Sequence, residues 1–339
     1  MQKTELFAWL VRPFVAGLLA GVLVLLLPLM LIGEGEAEEL PSLLPASPSI
    51  SPSGGGEELW DEKQTVRILT ESGQVEELTM QEYLWRVVAA EMPAKFELEA
   101  MCAQAVCART YTLWKAGTNA HENADLCDNS ACCQAYITPE EAAGRWGSLT
   151  EVYTKHIASA VEKTDGQILT YEGRPIQAVF FSSSAPETED AAAVWGGSLP
   201  YLVSVSSPEG EEVPNYYSSV VLTAEEVKAL VADSGLGIKL AGDPSGWIRN
   251  VSYTGSGRVA ELEVGGVTLS GSAARSLFGL RSACFEVIED EGTFTFSVTG
   301  YGHGVGMSQY GANAMAAEGK TWQEIVCHYY TGVTIQTAD

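Results

Sequence analysis

The chain has 339 residues, with 44 acidic against 19 basic side chains and a formal charge of −25. So negative a molecule is repelled by nucleic acid and by anionic lipid surfaces, which excludes both as partners and leaves neutral, cationic or polysaccharide ligands. Its 46 % hydrophobic content supports a real core, and its length allows one large domain or two modest ones.

Taken in chain order, residues 1–12 carry Lys3 and Arg12, and the run FVAGLLAGVLVLLLPLMLI at 14–32 carries no charge. At ~1.5 Å per residue such a run reaches ~28 Å, about one hydrocarbon thickness. Glu34, Glu36, Glu38 and Glu39 follow it. The asymmetry predicts one transmembrane helix over 13–32, residues 1–12 in the cytoplasm and the remainder outside the cell membrane. A cleaved signal peptide is the alternative, disfavoured by the length of the run and the lack of a clear small-x-small cleavage site. Residues 33–62 hold eight acids, no base and many Pro, Ser and Gly, the composition of a linker that cannot bury enough apolar surface to order itself. An extracytoplasmic domain is expected over 63–339, opening near the strand-like TVRIL at Thr65.

Four helix starts show Ser or Thr followed three residues later by Glu: Thr79/Glu82, Thr138/Glu141, Thr223/Glu226 and Thr321/Glu324. In that arrangement each side chain satisfies a backbone N–H of the other residue. The first predicts a helix over 80–91, and a second helix over about 97–115 follows the break at Pro93. Strand signals stand at 167–171, 176–181, 201–205, 248–254 and 258–269. Helices and strands mix without regular alternation, which reads as α+β. The stretch 208–290 has elements of its own, so a two-lobed domain with a groove is expected.

The first helix places Leu84, Val87, Val88 and Glu91 on one face. An acid on an apolar stripe is either a helix-end carboxylate paired with Arg86 or Lys95, or a carboxyl whose surroundings raise its pKa until it can serve as a general acid. Downstream, His121, Cys127 and Cys133 are spaced His-x5-Cys-x5-Cys. An imidazole and two thiolates suit zinc with a fourth position open. A disulfide from Cys127 to Cys133 or Cys132 is the rival, and Cys132 is read as a bystander. Seven cysteines, at 102, 107, 127, 132, 133, 284 and 327, cannot all pair. The glycine-dense GHGVGMSQYGA at 302–312 is either a ligand-lining loop or a tight buried turn.

Three segments carry a resemblance. VVAAEMPAKFELEAMCAQAVCARTY (87–111), the stretch from His121 to Tyr136 ending CQAY, and GHGVGMSQYGA resemble, in order, the motifs of the stage II sporulation protein D family of lytic transglycosylases. The likeness runs from about residue 65 to the end. It implies that Glu91 is the catalytic acid and that peptidoglycan glycan strands are the substrate, cut between N-acetylmuramic acid and N-acetylglucosamine to leave 1,6-anhydro ends during engulfment in endospore formation. It implies substrate contacts from Gln104, Arg109, Tyr111, Ser182, Ser184, His303, Ser308, Gln309 and Tyr310. It also implies a zinc ion on His121, Cys127 and Cys133, a mother-cell membrane location facing septal peptidoglycan, and a complex with a membrane sporulation protein and a cell-wall amidase-endopeptidase. Arg109 could instead pair with an acid, and Tyr111 could fill the core. Residues 181–197 depart from the family at Phe181, Ala185-Pro186 and Ala192-Ala193. That departure keeps a non-catalytic enhancer of a cell-wall amidase open. A zinc amidase is a third class, requiring a zinc-bound water and a base.

Overall fold

The computed structural model describes residues 59–339. The expected cytoplasmic segment 1–12, the membrane helix 13–32 and most of the linker 33–62 lie outside the described residues. Among the described residues no helix is long and apolar enough to cross a membrane.

The elements in order are α1 (Trp60–Lys63), β1 (Thr65–Leu69), β2 (Val75–Thr79), α2 (Met80–Glu91), α3 (Leu98–Ala116), β3 (Leu126–Cys127), α4 (Pro139–Trp146), α5 (Thr150–Lys163), β4 (Gln167–Tyr171), β5 (Arg174–Pro175), β6 (Phe180–Phe181) and α6 (Ala191–Trp195). They continue with β7 (Tyr217–Thr223), α7 (Ala224–Asp233), β8 (Ile248–Tyr253), β9 (Val259–Val264), β10 (Val267–Ser270), α8 (Gly271–Leu277), β11 (Phe285–Asp290), β12 (Thr293–Thr299), β13 (Met307–Ser308), α9 (Gln309–Ala317), α10 (Trp322–Tyr329) and β14 (Thr334–Thr337). The fold is mixed α+β. Its sheets are small, ordered β2-β1-β3, β10-β9-β8, β11-β12-β7, β13-β6 and β14-β4-β5.

All four predicted capping boxes form, at Thr79, Thr138, Thr223 and Thr321. The strand expected at 258–269 is a hairpin, β9–β10, turning at Gly265-Gly266 with φ of 55° and 84°. Two positive φ values in succession are what a tight hairpin turn requires, and glycine adopts them without steric cost. Two strand expectations are corrected. Residues 201–205 form no strand, and at 176–181 only Phe180–Phe181 is one. There the apolar residues fill the core from irregular backbone: Leu202 and Ile176 are buried.

Two hydrophobic clusters organise the described residues. One gathers α2, α3, α5, α9, α10 and β4. Tyr83, Leu84, Val87 and Val88 of α2 are fully buried in it, a contribution of ~1.5–3 kcal/mol per large apolar side chain. The other cluster holds Val227, Trp247, Leu262, Phe278, Phe285, Phe294 and Phe296, all from residues 227–298.

Helix α3 is buried on every side from Ala100 to Thr112. A helix enclosed all round must satisfy its polar side chains internally. Thr110 donates to the Val106 carbonyl (2.7 Å) and accepts from the Leu169 N–H (2.9 Å). The Arg109 guanidinium grips both Asp61 oxygens, at 2.7 and 2.5 Å, and donates to the Gln167 carbonyl at 3.0 Å. Asp165 in turn accepts from the backbone N–H groups of Trp60 and Asp61, at 2.9 Å each. The start of the described chain is thereby fastened to the main core.

Candidate active site

Glu91 is the last residue of α2, which ends because Met92 turns to extended backbone and Pro93 follows. Its carboxylate accepts from the Ala135 N–H at 3.1 Å. It forms no ion pair among the described residues. Arg86, one of its expected partners, reaches Glu76 instead at 3.0 Å. Burial pushes the Glu91 carboxyl above its ordinary value, opposed by the Ala135 N–H and the Gln309 side chain. Its place at the negative end of the helix dipole acts in the same direction as burial.

Glu91 lines a cleft of ≈ 690 Å³ with Tyr111, Gln134, Phe180, Ser182, Arg275, Tyr301, His303 and Gln309 among the walls. The parallel pairing of β6 with β13, Phe180 against Met307 and Phe181 against Ser308, builds one wall by joining segments far apart in sequence. Gly306 makes that approach possible. Its φ is +76°, and a Cβ there would stand 2.2 Å from the Val179 carbonyl oxygen. His303 donates from Nε2 to the Phe180 carbonyl (3.0 Å) and accepts at Nδ1 from the Val305 N–H (3.1 Å). Burial and the nearby Arg275 charge lower its pKa to about 4, so the ring is neutral and shapes the wall. Its face lies 5.5 Å from both the Phe181 and Trp195 rings.

Of the expected contact residues, the cleft brings together Tyr111, Ser182, His303 and Gln309 with Glu91. The others lie behind its walls. Gln104 is fully buried and accepts from Gln309 at 3.5 Å. Arg109 is fully buried on Asp61. The Ser184 N–H donates to Glu209 (2.6 Å), and its hydroxyl donates to the Glu187 carbonyl (2.8 Å) and accepts from Arg258 (3.2 Å). Ser308 donates to Glu209 and caps α9. Tyr310 packs edge-on against Phe96 at 4.9 Å. The glycine motif is thus both loop and turn: Gly302 and His303 line the cleft, while Gly304 to Ser308 are buried. Sequence reasoning missed Arg275 and Tyr301. No motif surrounds Arg275, and Tyr301 directly precedes GHGVG, which was the available signal.

Behind Ala135 sits a cluster of donors. His121 Nε2 lies 3.3 Å from Cys133 Sγ, Cys127 Sγ lies 3.6 Å from Cys133 Sγ, and Cys132 Sγ lies 3.8 Å from His121 Nε2. All four donor atoms fall within 4.8 Å of one another. A tetrahedral zinc with bonds of about 2.3 Å to sulfur spaces its sulfurs about 3.8 Å apart, so the donor set fits. Cys132 is within the set, against its reading as a bystander, because consecutive residues in the turn 129–133 project to the same side of His121. None of the seven cysteines is joined in a disulfide. Gln134 anchors the loop, its amide donating to Tyr83 (3.3 Å), the Ala108 carbonyl (3.4 Å) and Thr112 (3.2 Å).

With the geometry in place, similarity decides the family. The family model described as "Stage II sporulation protein" matches residues 70–171. Stage II sporulation protein D of Bacillus subtilis (strain 168) is 42 % identical over 273 residues, 80 % of this chain and 78 % of that protein. The chain belongs to the stage II sporulation protein D family. Stage II sporulation protein D of Bacillus amyloliquefaciens is 41 % identical over 274 residues, with the same coverage of both chains, 80 % and 78 %. The Amidase enhancer of Bacillus subtilis (strain 168) is 28 % identical over 302 residues, 74 % of this chain and 39 % of that protein. The family-model match contains Glu91 and the whole His121–Cys133 cluster, so both features of the site lie inside the region shared with the sporulation proteins.

Proposed function

We propose that this sporulation protein is a peptidoglycan lytic transglycosylase, cutting the glycan between N-acetylmuramic acid and N-acetylglucosamine to leave a 1,6-anhydro end, with Glu91 as its catalytic acid. One observation carries the reading: Glu91 is the one carboxylate among the residues lining the cleft. Ordinary glycoside hydrolysis requires two carboxyl groups, ~5–9.5 Å apart, one as acid and one as nucleophile or base. A single acid suffices if the sugar's own 6-hydroxyl attacks C1. Glu91, whose protonated form burial favours, gives its proton to the glycosidic oxygen as that bond breaks. The resulting carboxylate takes the proton of the 6-hydroxyl as the new C1–O bond closes, so Glu91 ends as it began. The Ala135 N–H and Gln309 stabilise the carboxylate between the two steps. Replacing Glu91 with Gln is expected to reduce anhydro-muropeptide release from purified glycan strands by ~10²–10⁴, the usual weight of one general acid. Release at the wild-type rate would overturn the assignment.

His121, Cys127, Cys132 and Cys133 would together hold a zinc ion with four protein donors, leaving no open position, which suits a structural ion. Such an ion would hold the loop that presents Ala135 to Glu91, and a Lewis acid is not needed to form the anhydro ring. This also disfavours the zinc-amidase reading, which requires an open position.

The protein is proposed to act outside the mother-cell membrane, anchored through residues 13–32, on septal peptidoglycan during engulfment, in company with a membrane sporulation protein and a cell-wall amidase-endopeptidase. Its 63–339 domain would be two-lobed, the cluster drawn from 227–298 forming the second lobe beside a groove that admits the strand. The likeness to an Amidase enhancer favours one second reading, a glycan-binding enhancer of an amidase, which predicts glycan binding with no anhydro product.

A further inference from the structure

Arg275 is the one lysine or arginine among the residues lining the cleft. Bases are outnumbered 44 to 19 by acids, and four of the nine described arginines are in ion pairs: Arg67 with Asp125, Arg86 with Glu76, Arg109 with Asp61 and Arg249 with Glu263. Arg275 makes no ion pair among the described residues. Its one side-chain hydrogen bond there is from Nε to the Leu280 carbonyl, at 3.3 Å, which leaves the two terminal nitrogens of the guanidinium without a protein partner. Next to it stands Tyr301, also on the wall. The Arg281 guanidinium stacks on that ring at 4.0 Å, and its Nε is buried without a partner. Arg281 likewise has no carboxylate partner among the described residues. An arginine without a carboxylate partner on the cleft wall, with a second one stacked on the neighbouring Tyr301, gives a local positive site that a ligand's negative charge can complement. Neutral His303 adds no competing charge, and the one carboxyl lining the cleft is Glu91, whose charged form burial disfavours.

We infer that Arg275 is a specificity-determining residue that binds a carboxylate carried by the glycan strand, on the muramic acid next to the bond that Glu91 protonates. The guanidinium fork matches a carboxylate in two parallel hydrogen bonds. N-acetylmuramic acid can supply that group in two ways. Its lactyl ether ends in a free carboxylate when no peptide is attached. With the peptide in place the lactyl group is a neutral amide, and the nearest carboxylates belong to the peptide. The inference rests on the reading of the cleft as a peptidoglycan-strand site, and it adds to that reading a discrimination among strands.

The test is equilibrium binding to the full-length chain in a Glu91→Gln background, which prevents turnover. Four probes of equal length are compared: peptide-free strands, the same strands with lactyl carboxyls converted to methylamides, peptide-bearing strands and neutral chitooligosaccharide. Arg275→Gln is expected to weaken binding of peptide-free strands by ~10–100-fold, the weight of a charged hydrogen-bonded contact. Methylamidation should impose the same loss on the protein with Arg275 intact. Chitooligosaccharide affinity should not change, which also shows that the cleft is still folded. Arg275→Lys, keeping the charge without the fork, should fall between. An Arg275 effect seen with peptide-bearing strands alone would support the carboxylate site and assign its source to the peptide. Equal affinities of Arg275→Gln and the parent for every probe, or equal losses with chitooligosaccharide, would overturn the inference while leaving the transglycosylase reading intact. If no probe binds the parent, the strand reading itself fails and the inference falls with it.

Discussion

At the scale of single residues, the proposed chemistry depends on what keeps a proton on Glu91. Burial raises its pKa, and the Ala135 N–H and Gln309 pull it back. A general acid must be protonated to work, so activity falls as pH rises through this raised value, giving a basic limb above the ordinary glutamate range. His303, lowered to about 4, is already neutral there and contributes no titration to that limb. Gln309→Leu removes a donor that stabilises the carboxylate, so the Glu91 pKa rises further and the basic limb of kcat/KM moves to higher pH. A limb that stays in place, measured on the same strands, would show that Gln309 does not act on Glu91. Position 91 was legible as a candidate because it shares a helical face with Leu84, Val87 and Val88. What a one-dimensional pattern could not decide was its partner, since Arg86 lies five residues away in the chain yet is claimed by Glu76 of the neighbouring strand.

At the scale of elements, local chemistry was readable and long-range pairing was not. The four capping boxes are contained in four-residue windows and all form. The β6–β13 pairing joins Phe180 to Met307, and no local signal announces it; the apolar run 176–181 reads as a longer strand when seen alone. Buried position also inverts roles: Arg109 matches a substrate-contact position by resemblance, yet the enclosed helix α3 turns it to Asp61. Breaking a buried pair from one side leaves a bare charge, at a cost of ~3–5 kcal/mol. Asp61→Asn should therefore lower thermal stability strongly, whereas the double change Asp61→Leu with Arg109→Met should recover most of it with KM for glycan unchanged. A KM rise in the stable double variant would restore Arg109 as a substrate contact. The loop 121–135 depends on its donor cluster in the same way. Purified protein should carry one zinc per chain, and its removal should lower the unfolding temperature and activity together, both restored by zinc. Cys132→Ser should weaken zinc binding. A folded, active preparation with no zinc and a Cys127 disulfide by mass mapping would contradict the site. Spacing suggested three of these donors; the fourth was hidden because adjacency in sequence, Cys132 beside Cys133, usually separates side chains.

At the scale of the whole molecule, a chain of −25 charge places one of its few cations, Arg275, on the cleft that holds Glu91. Composition excluded nucleic acid but carried no information about where that arginine would land, because α8 and the glycine motif meet only in the folded chain. Family membership, a single carboxylate and a polar cleft support the proposed glycan cleavage without water as nucleophile. The most direct measurement is mass spectrometry of fragments released from purified glycan strands by the full-length protein in ¹⁸O-labelled water. The account predicts 1,6-anhydro ends without label, absent from the Glu91→Gln variant. Reducing ends that carry solvent oxygen, or anhydro ends undiminished in Glu91→Gln, would contradict it.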